Sequence, residues 1–266
     1  MSNPTLAQQR AFFETFGFIK LPGLLKNEID TIIAEFEAVF PDKGLKHDGK
    51  KRTSVIPFVD QRPVLSALLD HPGIVEAVSN LIGPDFNYVG SDGNYYTGDT
   101  GWHRDSLYRN GLYLKVAFYL DPVGKDTGCL RVIPGSHTDE GVKIWPGAMV
   151  PDSQHLWGRA ASEVPYYPLE NTPGDVLIFN HRVFHASSGG NHQRRMFTMN
   201  LGRRAQAPEE IDDLISYVSY HMHGHKVPSP YGKAMVETAS PARQVHLTQV
   251  PEFWAAGLEH YKLRTK

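Results

Sequence analysis

The chain has 266 residues, 41% of them hydrophobic and 21% charged, with a formal net charge of −2. This composition suits a soluble protein with a substantial core and offers no basic field for nucleic acid or another polyanion. A single cysteine, Cys129, excludes an intrachain disulfide or a cysteine metal cluster and fits a reducing, cytoplasmic setting, and no apolar run is long enough to cross a membrane.

The opening residues Met1-Ser2-Asn3-Pro4-Thr5-Leu6 lack the apolar centre of a signal peptide. Residues 5–16 have the spacing of a short helix ending at Gly17, and Phe18-Ile19-Lys20-Leu21 reads as a strand stopped by Pro22-Gly23. Residues 26–40 carry Ile29, Ile32, Ile33, Phe36, Val39 and Phe40 on one helical stripe, with Pro41 as the stop. Another helix is expected over 72–82, with Pro72 at its start and Gly83 at its end. From residue 87 the pattern changes to short apolar runs (112–120, 129–133, 176–179, 196–201) between turns rich in Gly, Pro, Asp and Ser. Such regular short strands favour a sandwich or barrel. Helical spacing returns over 211–220 and 253–261. With no repeat, low-complexity tract or linker, the expectation is one domain over 1–266: a helical opening (1–86), a mainly β core (about 87–205) and a helical tail (206–266).

The chemistry is concentrated in Gly101-Trp102-His103-Arg104-Asp105 and in Gly174-Asp175-Val176-Leu177-Ile178-Phe179-Asn180-His181-Arg182-Val183-Phe184-His185. On an extended segment His103 and Asp105, two positions apart, lie on one side. A second imidazole from the distant strand, His185, completes two nitrogens and one oxygen on one face of a metal. The opposite face is left open, as a non-heme Fe(II) oxygenase requires for cosubstrate and O2. A lone His-x-Asp is weak and could decorate a polar loop; the second segment and the arginine pair Arg194-Arg195 raise its weight. A guanidinium can grip the distal carboxylate of a keto-diacid such as 2-oxoglutarate through two parallel hydrogen bonds. Neighbours on a strand face opposite ways, so at most one of the two arginines serves. His181, four residues before His185, would share its side of an extended strand and is an alternative ligand.

The run from His103-Arg104-Asp105 through Lys115-Val116-Ala117-Phe118-Tyr119-Leu120-Asp121 to Thr127-Gly128-Cys129-Leu130-Arg131-Val132-Ile133-Pro134-Gly135-Ser136-His137 resembles the phytanoyl-CoA dioxygenase family. The later His185-Ala186-Ser187 with a following Arg, and the opening Phe16-Gly17-Phe18-Ile19-Lys20-Leu21-Pro22-Gly23-Leu24-Leu25, extend the likeness over roughly 10–205. The resemblance implies a mainly β fold with flanking helices around a double-stranded β-helix (jelly-roll, cupin-like) core, with Fe(II), 2-oxoglutarate and O2. It implies His103, Asp105 and His185 as metal ligands and Ser187 and Arg194 as 2-oxoglutarate contacts. Arg195 is the substitute for Arg194, and Phe118 is the aromatic flanking the cosubstrate. Asn94, on the stretch leading to His103, could reach cosubstrate or substrate.

These readings together imply hydroxylation of an unactivated C–H bond of a small metabolite, with release of succinate and CO2. The carboxylate of Asp105 argues against halogenation, whose enzymes carry Ala or Gly there; desaturation and ring formation stay open. The alternatives are another cupin-fold metalloenzyme, an isomerase or hydrolase with no use for Arg194, and a non-catalytic binding protein. No CoA-binding patch is recognisable, and oligomeric state is not legible. Arg104, Lys115, Arg131, Arg182 and Arg203 are expected to face solvent, any that point inward favouring an anionic substrate. His137 is expected to bond structurally, and His221, His223 and His225 to serve the tail or an interface. The stretches 43–62 and 139–161 are candidate lids.

Overall fold

The computed structural model describes residues 4–150, 152–190 and 194–265. The first three and last residues of the expected opening and tail, Met1–Asn3 and Lys266, lie outside them, as do Pro151 of the second candidate lid and Asn191–Gln193.

Among the described residues ten strands form two sheets: β1 (Phe18–Leu21), β2 (Thr53–Val55), β3 (Asn87–Tyr96), β4 (Thr100–His103), β5 (Tyr113–Tyr119), β6 (Leu130–Val132), β7 (Tyr167–Leu169), β8 (Val176–Asn180), β9 (His185–Ser187) and β10 (Arg194–Gly202). The larger sheet runs β1-β8-β5-β10-β3-β2 and the smaller β4-β9-β6-β7, with every pairing antiparallel. This is the expected cupin-like double-stranded β-helix with flanking helices. In the opening segment β1 is the expected strand and β2 an unexpected one, and the two supply the edges of the larger sheet.

The helices follow their local signals. Leu6–Phe16 starts from Thr5, whose side chain accepts from Gln8 N–H in a capping box, and ends at Gly17 with φ +86°. Pro72–Ile82 matches its expected bounds, with Pro at the first helical position. Ile29–Asp42 runs past Pro41, since a proline in the last turn removes only one N–H where the helix is already ending. In the tail, Pro208–Tyr217 passes directly into a wider π-type turn, Val218–His223.

One large core joins the outer face of the larger sheet (Val116, Phe118, Phe197, Met199) to the opening helices (Phe36, Val78) and the tail (Leu214, Tyr217, Met235). The tail is also tied by polar contacts. Arg243, 2% exposed, pairs with Asp70 at 2.6 Å. Gln249 accepts from Asn87 and from Ala205 N–H, and His246 stacks on Phe86 with ring centroids 3.7 Å apart. These ties hold the tail over one mouth of the β-helix.

Candidate metal centre and its cavity

His103 ends β4 and His185 opens β9, and the two residues are direct cross-strand partners with ring centroids 4.1 Å apart. Asp105 follows β4 on a short irregular segment whose N–H donates to the His181 carbonyl at 2.9 Å. One ligand atom from each of His103, Asp105 and His185 lies within 4.8 Å of the others. The expected triad is therefore brought together.

Each ligand is held with its free valence inward. Nδ1 of His103 lies 2.8 Å from the Gly101 carbonyl and Nδ1 of His185 3.0 Å from that of Val183. Those carbonyls accept a hydrogen bond from Nδ1–H, which leaves the Nε2 lone pairs for a metal. Asp105 splits its two oxygens. Oδ1 accepts from the Lys115 ammonium at 2.9 Å, while Oδ2 is buried, without a hydrogen-bond partner among the described residues, and 3.8 Å from His185 Nε2. A buried carboxylate oxygen without a donor needs a cation. The donor set thus fits a divalent metal on an observation internal to the chain.

Protonation states agree. Burial alone would raise the Asp105 carboxyl, but the Lys115 ammonium and then the neighbouring imidazoles hold it well below the usual carboxylate range. Burial pushes His185 down to about 3, with His103 adding to the effect. An ionised carboxylate beside a neutral imidazole is the form that ligates.

Strand parity settles the arginine pair. Arg194 is 3% exposed and faces the cavity; Nη1 donates to the Gly128 carbonyl at 2.8 Å and Nη2 to Ser187 Oγ at 3.0 Å. Its Nε is buried without a partner among the described residues. Gly128, at φ +92°, is required here, since a Cβ would come within 2.0 Å of Arg194 Nη1. Arg195 faces the other way and pairs with Asp121 at 2.6 Å and with Glu37, so it is corrected from cavity candidate to surface ion pair.

Two other expected contacts are also corrected. On β5 the cavity-lining residues are Lys115, Ala117 and Tyr119; Phe118, one position out of phase, enters the large core and stacks on Phe197 at 4.5 Å. Asn94 shares its face of β3 with Asp92 and Tyr96 but does not line the cavity. Its amide donates to Asp92 and accepts from Arg52 Nε at 2.7 Å, setting those two charged residues in the wall.

The cavity measures about 310 Å³. Beyond the triad and Arg194 it is lined by Arg52, Asp92 and Asn200, by His181, and by Tyr217, Tyr220, His221 and His225 of the tail. His181 is not with the triad. Its backbone carbonyl holds the Asp105 segment, while its ring lies deeper, buried and pushed down to about 4 by desolvation. His221, expected to serve only the tail, stacks on Tyr217 at 4.2 Å and faces the cavity, and burial lowers it to about 3. The signal for it was the four-residue spacing of Tyr217, His221 and His225. That spacing gives one helical face, but not what the face covers.

The candidate lids divide. The stretch 43–62 supplies Arg52, Ile56 and Pro57 to the cavity, whereas no described residue of 139–161 lines it. The latter stretch is fastened instead by Arg104, which is 3% exposed rather than solvated. Its guanidinium donates to the carbonyls of Trp145, Gly147, Ser136 and Arg182 and sits 3.6 Å over the Phe184 ring. Arg104 thus locks the backbone between two ligands. His137 bonds the Glu14 carbonyl, the expected structural role.

A jelly-roll with an inward His-x-Asp…His set that could hold a metal, and a buried arginine in the same cavity, defines the class of cupin-fold proteins with a candidate metal centre. Within that class, the family model "Phytanoyl-CoA dioxygenase (PhyH)" matches residues 13–196, and the chain belongs to that family. The chain is 27% identical over 192 residues to a "Probable phytanoyl-CoA dioxygenase" of Caenorhabditis elegans, a match covering 65% of this chain and 59% of that protein. It is 22% identical over 227 residues to a "2-aminoethylphosphonate dioxygenase" of the uncultured bacterium HF130_AEPn_1, covering 77% and 84% of the two chains. Among solved structures, the non-heme alpha-ketoglutarate-dependent carbocyclase SnoK from nogalamycin biosynthesis aligns with a TM-score of 0.60 at 22% identity. That alignment covers 76% of this chain and 87% of SnoK. Among the described residues no helix is long and apolar enough to cross a membrane.

Proposed function

We propose that the chain is a non-heme Fe(II)- and 2-oxoglutarate-dependent dioxygenase that hydroxylates an unactivated C–H bond of a small metabolite, with release of succinate and CO2. The observation that carries this is the orphaned Asp105 Oδ2 facing the His103 and His185 rings in the cavity that also holds Arg194. Iron bound there would supply, with O2 and the keto acid, the oxidant for C–H cleavage.

His103, Asp105 and His185 would hold the metal on one face, and their backbone and Lys115 partners fix the geometry before it arrives. Arg194, anchored by Gly128 and Ser187, has N–H groups left for the distal carboxylate of 2-oxoglutarate. Tyr119 borders that corner, and its burial keeps the phenol protonated and able to donate. Ala117 and Phe179 give apolar wall that limits water near the metal. The tail closes the substrate side, which supports reading the chain as one catalytic unit.

The cavity volume, about 310 Å³, lies at the small end of the roughly 300–1,000 Å³ of ligand pockets. That favours a compact metabolite over an acyl-CoA thioester, in keeping with the small aminophosphonate in the bacterial relative's name. Retention of Asp105 argues for hydroxylation over halogenation, and the single buried cysteine is consistent with a cytoplasmic setting.

The test is to load the protein anaerobically with Fe(II) and 2-oxoglutarate, admit O2 with a library of small metabolites, and score succinate and product mass. A substrate-dependent succinate signal with a product 16 mass units heavier is the expected result, one oxygen atom being inserted. Succinate coupled to loss of two hydrogens would replace hydroxylation by desaturation or ring closure. No dependence on 2-oxoglutarate would overturn the reading.

A further inference from the structure

Lys115, Asn200 and His181 form a polar patch in the cavity that neither the metal nor the keto acid accounts for. Asn200 on β10 is the register partner of Lys115 on β5, and Lys115 is also the partner of Phe179 on β8. His181 follows Phe179 by two residues, and all four line the cavity. The tail covers this patch: the ring centroid of Tyr217 is 6.0 Å from His181, and His221 stacks on Tyr217.

The patch is polar and unsatisfied. His181 is 1% exposed, and neither ring nitrogen has a hydrogen-bond partner among the described residues. The Leu114 backbone and the Asn200 side chain lie close enough to influence that ring without a bond of sound geometry, and Asn200 Oδ1 also has no hydrogen-bond partner among the described residues. The neutral His181 ring has one N–H donor and one acceptor nitrogen, and Asn200 Oδ1 accepts, so these buried atoms are costly unless a ligand that carries both acceptor and donor groups meets them.

Charge identifies the ligand class. With the imidazoles set aside, the cavity wall holds three cations, Arg52, Lys115 and Arg194, and two carboxylates, Asp92 and Asp105. Arg52 pairs with Asp92 at 3.7 Å. On the functional reading above, Asp105 and one end of the keto-diacid neutralise a divalent metal, while Arg194 takes the other end. Lys115 is then left with no counter-charge of its own, although only 17% of its side chain is exposed. Its ammonium has three N–H groups, of which one is directed at Asp105. A buried cation in that position needs an anion.

We propose that Lys115, His181 and Asn200, roofed by Tyr217 and His221, are the substrate subsite, and that they bind an oxyanion head group (carboxylate, phosphonate or sulfonate) on the substrate. The group lies between Lys115 and the tail, so the rest of the substrate extends past the metal towards Arg52 and Asp92. Those two suit a polar or zwitterionic molecule. Lys115 has two partners in this arrangement, a metal ligand on one side and the substrate on the other. This assignment rests on the dioxygenase reading.

The test uses the full chain loaded with Ni(II), which supports no turnover, and saturated with 2-oxoglutarate. Calorimetry measures binding of acetate, methylphosphonate and methanesulfonate, with acetamide and methylammonium as neutral and cationic counterparts. At least one oxyanion is expected to bind, and neither counterpart. Lys115→Met should weaken that binding by at least about tenfold, the loss of one charge-assisted contact, and Lys115→Arg should restore it to within about threefold. Because Lys115→Met also removes a partner of Asp105, Asn200→Asp is the second variant. It places a like charge against the anion, should abolish its binding, and should leave Ni(II) and 2-oxoglutarate affinity within about twofold. Oxyanions that bind no better than acetamide, or that bind both variants as tightly as the parent, would overturn the assignment. Failure of the parent to bind 2-oxoglutarate is seen before any anion is added and would overturn the dioxygenase reading together with it.

Discussion

Replacing Arg194 by Met should abolish tight 2-oxoglutarate binding while leaving the metal site intact. The guanidinium is 3% exposed, fixed by the Gly128 carbonyl and Ser187 Oγ, and the Arg194 Cζ lies 5.1 Å from the Tyr96 ring centroid. A carboxylate bound there is out of water, so truncating its partner leaves an unpaired buried charge. Losses of that kind run to about 2–5 kcal/mol, or roughly 30-fold to several-thousand-fold in Kd. The assay is anaerobic titration of the Fe(II) protein with 2-oxoglutarate, with metal affinity measured separately. Arg195→Met is the paired control. Its charge faces Asp121 and Glu37 on the far side of β10, so keto-acid affinity should hold and only about 1 kcal/mol of stability should be lost. Gly128→Ala gives a third arm. The added Cβ would meet Arg194 Nη1 at 2.0 Å on a backbone with φ +92°, so it should mimic Arg194→Met without touching the charge. Loss of 2-oxoglutarate binding in Arg195→Met, with Arg194→Met unaffected, would refute the reasoning from strand parity.

Asp105→Ala removes the only carboxylate of the triad and should lower Fe(II) affinity by two orders of magnitude or more, about 3 kcal/mol, as read by anaerobic metal titration. Arg243→Ala removes a buried guanidinium from its pair with the partly exposed Asp70 and should cost about 2–3 kcal/mol in denaturant unfolding, with hydrogen exchange accelerated first in 208–265. Acid should also destabilise the fold. His137 and His246 are pushed below their ordinary value of 6.5 by burial, so the unfolded chain takes up protons that the folded one resists. Stability is therefore full above pH 6.5 and lost as pH falls from there towards the depressed folded values, with a slope of up to about 1.4 kcal/mol per pH unit per group. His246→Gln should flatten that slope by up to one proton in chemical unfolding at pH 5.5–7.5, and an unchanged slope would count against this origin.

The triad was legible because the short His-x-Asp spacing keeps two candidate ligands together, even though Asp105 lies just past the end of β4. The segment leading to His185 supplies the third, although a turn separates β8 from β9, which His185 opens. Helix bounds were legible where capping residues set them, as at Thr5, Gly17 and Pro72. Parity also separates Arg194 from Arg195 and should have separated Phe118 from Ala117 and Tyr119. A bulky aromatic between two cavity residues of one strand belongs to the opposite face. What sequence could not give was the partner of each face. Arg104 looked like a surface charge because its acceptors are backbone carbonyls as distant in sequence as Arg182, which carry no residue signature. Tyr217, His221 and His225 formed a visible stripe, but docking of the tail depends on contacts such as Arg243 with Asp70 and Gln249 with Asn87, which span more than 160 positions.

That docking also bears on how far the relatives can inform the substrate. The family match ends at residue 196, just inside β10. The candidate ligands His103, Asp105 and His185, and the anchored Arg194, all lie before that point. Thr198 and Asn200 of the cavity wall, and the whole tail face from Tyr217 to His225, lie after it. The candidate metal-holding residues therefore lie inside the family match, while part of the cavity wall comes from residues beyond it. A change in the tail can reshape the pocket without moving a ligand, because Arg104 and the carbonyls of Gly101, Val183 and His181 hold the metal side independently. A fold of this kind does not by itself fix a substrate, so under the proposed function the residues opposite the triad, rather than the triad, are the place to read this chain's substrate.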